Sequence, residues 1–576
     1  MQMPRSIALA TALFLAGCGS GDSPTDVDPG PDTSNIPATV SLSGVPATLV
    51  VGDTFQLTAT VRNDQGQVLS SAPVNWTTPD GDRLEPVSSG RFRSVAPGPG
   101  RIVATAGSVA DTSTVDADPR VATSVSVGLA SGLFLTGDEE MPRFEVRDQR
   151  DRIMVGEKPA WETSDATILG VTSEGAVEGR SPGTAQLTVG VAGAESGGPQ
   201  ATLEVRVVPG SGPRVPELVV VDSAVVAWME EFSVPGAQVA LMREGRLVLS
   251  RGYGVRSIDS PDPVSEDNLF RIGSVSKPVA GLAFLQLVSQ GLASLDDRPF
   301  EALVDLYPPL PGQTADPRLQ TATVRDILRH QTGHGDREVD QVAWRAVWQH
   351  GAMDIDEIYR HAIGHPLDHD PRTVYQYTNF NTKTVARYME TLTGTDFEGH
   401  VRSTLMGPAG VQRMAFGRSA LHERDPMEVR YHDQSGALSA LMDADDHVMV
   451  HWDASGAWIG TASDVLRVVR AALEGTPDAP PLLSAAVREE VQTRNPAASP
   501  SPTSFMGLHW LVNLSGPAPV WSHNGAARGA WARVSFEVGG TAYVLLSNRH
   551  SGGELNMSLG SLLASVEWPD HDLFDR

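Results

Sequence analysis

The 576-residue sequence contains one cysteine, three lysines (Lys158, Lys277 and Lys383) and no histidine before His330. A single cysteine excludes an intramolecular disulfide framework, a cysteine-rich zinc site and an iron–sulfur protein. Positive charge is scarce: 44 Lys and Arg against 70 Asp and Glu leave a net charge of −26. Such a chain has no electrostatic footprint for nucleic acid and is repelled by anionic surfaces. No stretch approaches the ~18 uninterrupted apolar residues of a membrane-spanning helix. Low complexity is absent too. The 56 glycines and 41 prolines exceed average usage but stay below the roughly 25–30% that marks disorder. What remains is 40% apolar and 20% charged residues, enough for sizeable cores. The length sets a prior of about four domains.

The lone cysteine, Cys18, has an informative address. Arg5 is followed by an apolar run from Ser6 to Ala16 and small residues before Cys18. A basic start, a short apolar core and small residues describe a secretory signal peptide over 1–17. Leu15-Ala16-Gly17-Cys18 resembles a bacterial lipoprotein lipobox. The resemblance implies cleavage before Cys18, lipidation there and a membrane attachment in the bacterial cell envelope. The alternative is an ordinary signal with an incidental cysteine. Gly19-Ser20 lacks the aspartate associated with inner-membrane retention, which favours an outer membrane. Residues 18–35, rich in Gly, Ser, Asp and Pro, read as a disordered tether.

Residues 36–118 and 119–208 carry one pattern twice, offset by 85. Gly52-Asp53 matches Gly137-Asp138, Trp76 matches Trp161, Gly90 matches Gly175, and Pro97-Gly98 matches Pro182-Gly183. Short alternating runs bounded by turn residues predict two all-β sandwiches, each with its Trp as a core plug. The pattern resembles bacterial Ig-like domains of type 2 (BIG2). A spacer role is favoured over adhesion, because no aromatic cluster or acidic calcium loop suggests a ligand. Pro209–Pro216 reads as a linker (209–216), and 217–576 as a domain whose hydrophobic patterning closes on its own.

All 15 histidines lie in that last part. Gly273-Ser-Val-Ser-Lys277-Pro278 precedes an apolar run that stops before Gly291. The pattern predicts a helix from Ser274 with Ser274 and Lys277 on one face. A hydroxyl at a helix N-terminus beside a buried amine is a candidate activated nucleophile. By itself Ser-x-x-Lys is weak, an N-capped surface helix being the plain alternative. Two further motifs follow: Tyr377-Thr-Asn379 and His523-Asn-Gly525.

Ser-x-x-Lys, Tyr-x-Asn and His-x-Gly in this order resemble the serine β-lactamase and penicillin-binding superfamily, in its class C β-lactamase, esterase and DD-peptidase branch. Flanking segments such as Thr323-Val-Arg-Asp-Ile-Leu-Arg-His-Gln-Thr-Gly333 and Leu545-Leu-Ser-Asn548 agree over 217–576. The resemblance implies an α+β domain: an antiparallel sheet flanked by helices, with a helical subdomain. It assigns Ser274 as acyl-enzyme nucleophile and Lys277 and Tyr377 as its proton relay. It assigns Asn379, His523, Gly525 and Ala526 to substrate binding and the oxyanion hole, and Arg528 is the nearby cation in this sequence that can replace missing carboxylate donors. It implies no cofactor and no metal. Asn524 and Ala526 stand where relatives carry hydroxyls that hold a substrate carboxylate. A small ester or amide is therefore expected to be the better substrate, with D-amino-acid peptides or β-lactams as the alternative.

Two readings of other classes compete. His330/His334, His361/His365/His369 and His447/His451 are spaced by four, as metal ligands on a helix would be, though Gly364 and Pro366 interrupt the second group. A non-catalytic envelope-binding protein on the same scaffold is the other. Acylation of Ser274 by a fluorophosphonate separates it from an enzyme.

Overall fold

A computed structural model describes residues 34–194, 197–335, 354–432, 449–550, 562–563 and 565–575. The signal segment 1–17, Cys18 and nearly all of the 18–35 tether lie outside the described residues. Two compact units are present. One holds the described residues up to Ser124 with Arg147–Val155, the other Val125–Val146 and everything from Gly156 onward.

The first unit is all-β. Its four-stranded sheet runs Leu49–Val50, Val109–Asp118, Gly98–Ala106, Asn75–Thr77, and a three-stranded sheet runs Thr54–Gln56, Arg91–Ser94, Leu84–Ser88. Phe92, Ile102 and Leu84 fill the space between. The second unit opens with a β module of the same order: Leu133–Leu135, Gln200–Val208, Gly183–Val191, Pro159–Thr163, with Phe134, Leu169 and Leu187 in its core. In both modules the short first strand of this sheet pairs parallel to the last. Trp76 and Trp161 are not the central plugs expected. Both are only partly buried, at the core margin, and each lies over the glycine 14 residues on. A Cβ at Gly90 would sit 3.0 Å from the Trp76 ring, and one at Gly175 3.7 Å from Trp161 Nε1. Both glycines have positive φ, so the Trp–Gly pairing follows from a turn that L side chains avoid and a ring that fills the space.

The rest of the second unit is built on a nine-stranded sheet with the path Gly210–Ser211, Arg246–Ser257, Gly236–Arg243, Thr541–Ser547, Ala530–Glu537, Val520–Ala527, Leu511–Asn513, Ser504–Met506, and Ser260–Pro263 pairing off the path. Every pairing along it is antiparallel. The segment read as a linker is itself ordered: Gly210–Ser211 extends the sheet and Val215 is buried. The helix Ser276–Ser289 is buried on all sides from Ser276 to Leu287, which is why its sequence is apolar all round rather than striped. It packs in one core with the helices Asn379–Thr393 and Ala462–Leu473 and with the sheet strands. Among the described residues no helix is long and apolar enough to cross a membrane.

Candidate active site

Ser274 does not begin the α-helix. It sits in a 3-10 turn, Gly273–Val275, and regular helix starts at Ser276. The turn is closed by Val275 N–H donating to Ile272 O at 3.1 Å. Ser274 is partly exposed while Lys277, one turn on, is fully buried. The i, i+3 spacing still brings them together: Lys277 Nζ donates to Ser274 Oγ at 3.0 Å. The same ammonium donates to Asn379 Oδ1 at 2.7 Å and to the Ser455 carbonyl at 2.9 Å. Three donors with three acceptors fix the amine in one position against the hydroxyl.

Tyr-Thr-Asn folds as a helix start. Thr378 caps the helix Asn379–Thr393, its hydroxyl accepting from Phe380 N. The cap aims Asn379 at Lys277 and leaves Tyr377 just outside the helix, its ring centroid 4.8 Å from Lys277 Nζ.

Gly525 closes the site from the sheet. A Cβ there would lie 1.9 Å from Ile272 O and 3.1 Å from Ser274 N. Gly273, with φ +49°, meets the Ala526 backbone in the same way, at 2.9 Å from its nitrogen. The strand end and the serine turn thus touch backbone to backbone, and only glycines permit it. This close approach holds the serine turn against the strand end that carries Ala526.

A cavity of about 130 Å³ opens over Ser274. Tyr377, Asn379, Met449, Trp452, Ala526 and Arg528 are among its walls, and Arg528 is the charged residue of that described lining. His523 and Gly525, expected to contact substrate, are not among the residues that line the cavity. The His523 ring stands 6.2 Å from the Tyr377 ring, with Nδ1 2.7 Å from the Asn524 carbonyl. Asn524 is exposed, and its Oδ1 accepts from Arg533 Nη1 at 2.8 Å.

Two residues escaped the sequence analysis in this role. His330 stacks on Tyr377 with centroids 4.6 Å apart, and His509 lies 4.9 Å from His330. Burial, with the neighbouring charge of Lys277 and other histidines, holds His330 and His509 well below the usual imidazole range, and burial then Lys277 bring His523 to about 3. The three imidazoles are neutral at pH 7; His330 and His523 lie against the Tyr377 ring, and His509 lies against His330. In the sequence His330 stood out as one of a pair spaced by four and within the Thr323–Gly333 segment, with no sign of its place beside Tyr377. Its place beside Tyr377 depends on its left-handed backbone, φ +54°, and on a partner 47 residues away. Met449 and Trp452 likewise carried no local signal. Among the described residues no group of three or more His, Cys, Asp or Glu could hold a metal ion. His447 lies outside them.

A family model described as Beta-lactamase matches residues 221–565. The chain belongs to the beta-lactamase family. Within that family it is a serine hydrolase with esterase and penicillin-binding relatives. It is 27% identical over 296 residues to Esterase EstB of Burkholderia gladioli, a match covering 46% of this chain and 74% of that protein. Penicillin-binding protein 4 of Amycolatopsis lactamdurans is 28% identical over 358 residues, 56% of this chain and 84% of the relative. Protein flp of Staphylococcus aureus (strain N315) is 20% identical over 246 residues, less than half of each chain. The octameric penicillin-binding protein homologue from Pyrococcus abyssi shares the fold, with a TM-score of 0.50 at 18% identity over 60% of this chain and 77% of that one.

Proposed function

We propose that this beta-lactamase family protein is a lipid-anchored hydrolase of the bacterial cell envelope that cleaves small esters or amides through an acyl-enzyme on Ser274. The observation that carries the chemistry is the placement of Lys277 Nζ, 3.0 Å from Ser274 Oγ and locked by Asn379 and Ser455. Ser274 Oγ attacks the substrate carbonyl and its proton passes to Tyr377, or to Lys277 in its neutral amine form, and from there to the leaving group. The Ser274 and Ala526 amides receive the developing oxyanion, where one donor is worth roughly 3–4 kcal/mol. Water then attacks the acyl-enzyme, its proton taken by the same relay, and frees Ser274.

The cavity supports the substrate class. A volume of about 130 Å³ walled by Met449, Trp452 and Ala526 suits a short acyl group. Asn524 is held at its oxygen by Arg533 and is not among the residues lining the cavity, whereas Arg528 is and offers a cation to a substrate carboxylate. Attachment through Cys18, behind the signal 1–17, rests on the lipobox pattern. The two N-terminal β modules, as Ig-like domains, would hold the hydrolase away from the membrane.

One panel tests the reading on the full chain: an activated acetyl or butyryl ester, a chromogenic cephalosporin and a D-Ala-D-Ala peptide. The esters should show the highest kcat/KM. A cephalosporin in first place would overturn the ester preference, and a D-peptide in first place would favour the peptidase alternative.

A further inference from the structure

The Gly-Asp of the β repeat does the same job twice. In the second module Asp138 follows the Leu133–Leu135 strand, and its Oδ2 accepts from Leu135 N at 2.8 Å. The same oxygen accepts from Arg214 Nη1 at 3.2 Å, and Oδ1 accepts from Arg251 Nη2. Arg214 also donates to the Leu133 carbonyl at 2.8 Å and pairs with Glu140, its guanidinium 4.0 Å above the Phe134 ring. In the first unit Asp53 stands 85 residues earlier. It accepts from Val50 N at 3.0 Å, Arg150 Nε at 3.2 Å and Arg152 Nη1 at 3.1 Å. Arg150 reaches the Thr48 carbonyl, the equivalent of Leu133. Both carboxylates thus brace their own turn and receive arginines from later in the chain.

At Asp138 those arginines belong to the hydrolase. Arg251 lies in the Arg246–Ser257 strand of the nine-stranded sheet, is fully buried, and also donates to Asp222 Oδ2 at 2.7 Å. Asp222, on the helix Val219–Glu231, accepts from Tyr253 OH at 2.7 Å. The Arg214 side chain is 3% exposed. Apolar contact runs through the same place: Leu135 packs in one core with Val215, Leu218, Val221 and Tyr253. A Cβ at Gly210 would lie between Gly252 O and Leu135.

We propose that the Gly-Asp turn is an arginine socket and that, through Asp138, the second β module is a fixed structural part of the hydrolase, not a detachable spacer. Arg251 has no route to water, so its charge needs both Asp222 and Asp138. A carboxylate borrowed from another module makes that module part of the fold. The first module's socket binds Arg150 and Arg152, so its loss leaves the hydrolase unaffected.

Trypsin and thermal unfolding of the full chain test this. Cleavage after Arg214 should be slow in the wild type and in Asp53→Asn. In Asp138→Asn it should rise about tenfold or more, with the unfolding midpoint of the hydrolase lowered by about 5 °C or more. Asp53→Asn should leave that midpoint in place. Fast cleavage after Arg214 in the wild type, or equal behaviour of the two Asn variants, overturns the proposal. If Asp138→Asn does not fold, the double variant Asp138→Asn/Arg251→Met removes the stranded charge. Recovery of folded protein supports the socket, because a module damaged only in its own turn would not be repaired from the hydrolase side. Failure of the double variant, with Arg251→Met alone folded, refutes it. Neither readout depends on which residue is the nucleophile.

Discussion

Acidification from pH 7 to pH 5 should weaken the hydrolase through its buried histidines, and His334 allows one contribution to be isolated. His334 is 1% exposed, its ring 4.7 Å from Phe380. Burial, helped by nearby His365, lowers it to about 3 against the pull of a hydrogen bond to the Ala362 backbone. The folded form therefore stays neutral at pH 5, whereas the unfolded chain protonates below about 6.5. A histidine lowered in this way favours the unfolded state increasingly as pH falls from 6.5 toward 3. At 1.36 kcal/mol per unit, the loss at pH 5 is about 2 kcal/mol for this one group. Buried carboxylates act in the opposite sense: Glu390, Asp464 and Glu474 are raised by burial and so stabilise the fold on acidification. A difference experiment cancels them. His334→Phe keeps a ring in the space and removes the titration. Urea unfolding of wild type and variant at pH 7 and pH 5 should show the wild type losing about 2 kcal/mol more than the variant between the two pH values. Equal losses would refute the argument that burial, and not the sum of surface charge, makes this site acid-labile.

Ser274→Ala should abolish fluorophosphonate labelling, and near-wild-type ester turnover in that variant would sink the mechanism. Lys277→Ala and Tyr377→Phe should each remove a large part of kcat, and their combination far less than the product of the two, as expected of residues acting as one relay. Gly525→Ala places a methyl 1.9 Å from the Ile272 carbonyl. The strand must shift by about 1 Å, and kcat/KM should fall about 10²-fold with the fold retained, as checked by kinetics beside circular dichroism. Cys18→Ser should move the protein from the membrane to the soluble fraction on cell fractionation, and soluble behaviour of both forms would contradict lipid attachment.

Local spacing and repeated pattern were legible without a structure. Ser274 and Lys277 are one helical turn apart, and a 3-10 start instead of an α-helix does not alter which face they share. The β repeat showed itself by its period, because equal strand and turn lengths repeat the same backbone constraints. The order of three motifs pointed to a hydrolase and to Tyr377 and Asn379, since each motif is a short backbone feature: a turn, a helix cap, a strand end. Tertiary structure decided everything that depends on partners far along the chain. Lys277 is anchored by the carbonyl of Ser455, 178 residues away, and a carbonyl leaves no trace in residue identity. His330 reaches Tyr377, and His509 reaches His330, from left-handed backbone positions. Asn524 is engaged by Arg533, its partner on the neighbouring strand, a pairing set by the register of two strands and not by its own motif. Asp138 meets Arg251 across 113 residues. Sequence periodicity marked that aspartate as part of a turn, but only packing could bury an arginine against it.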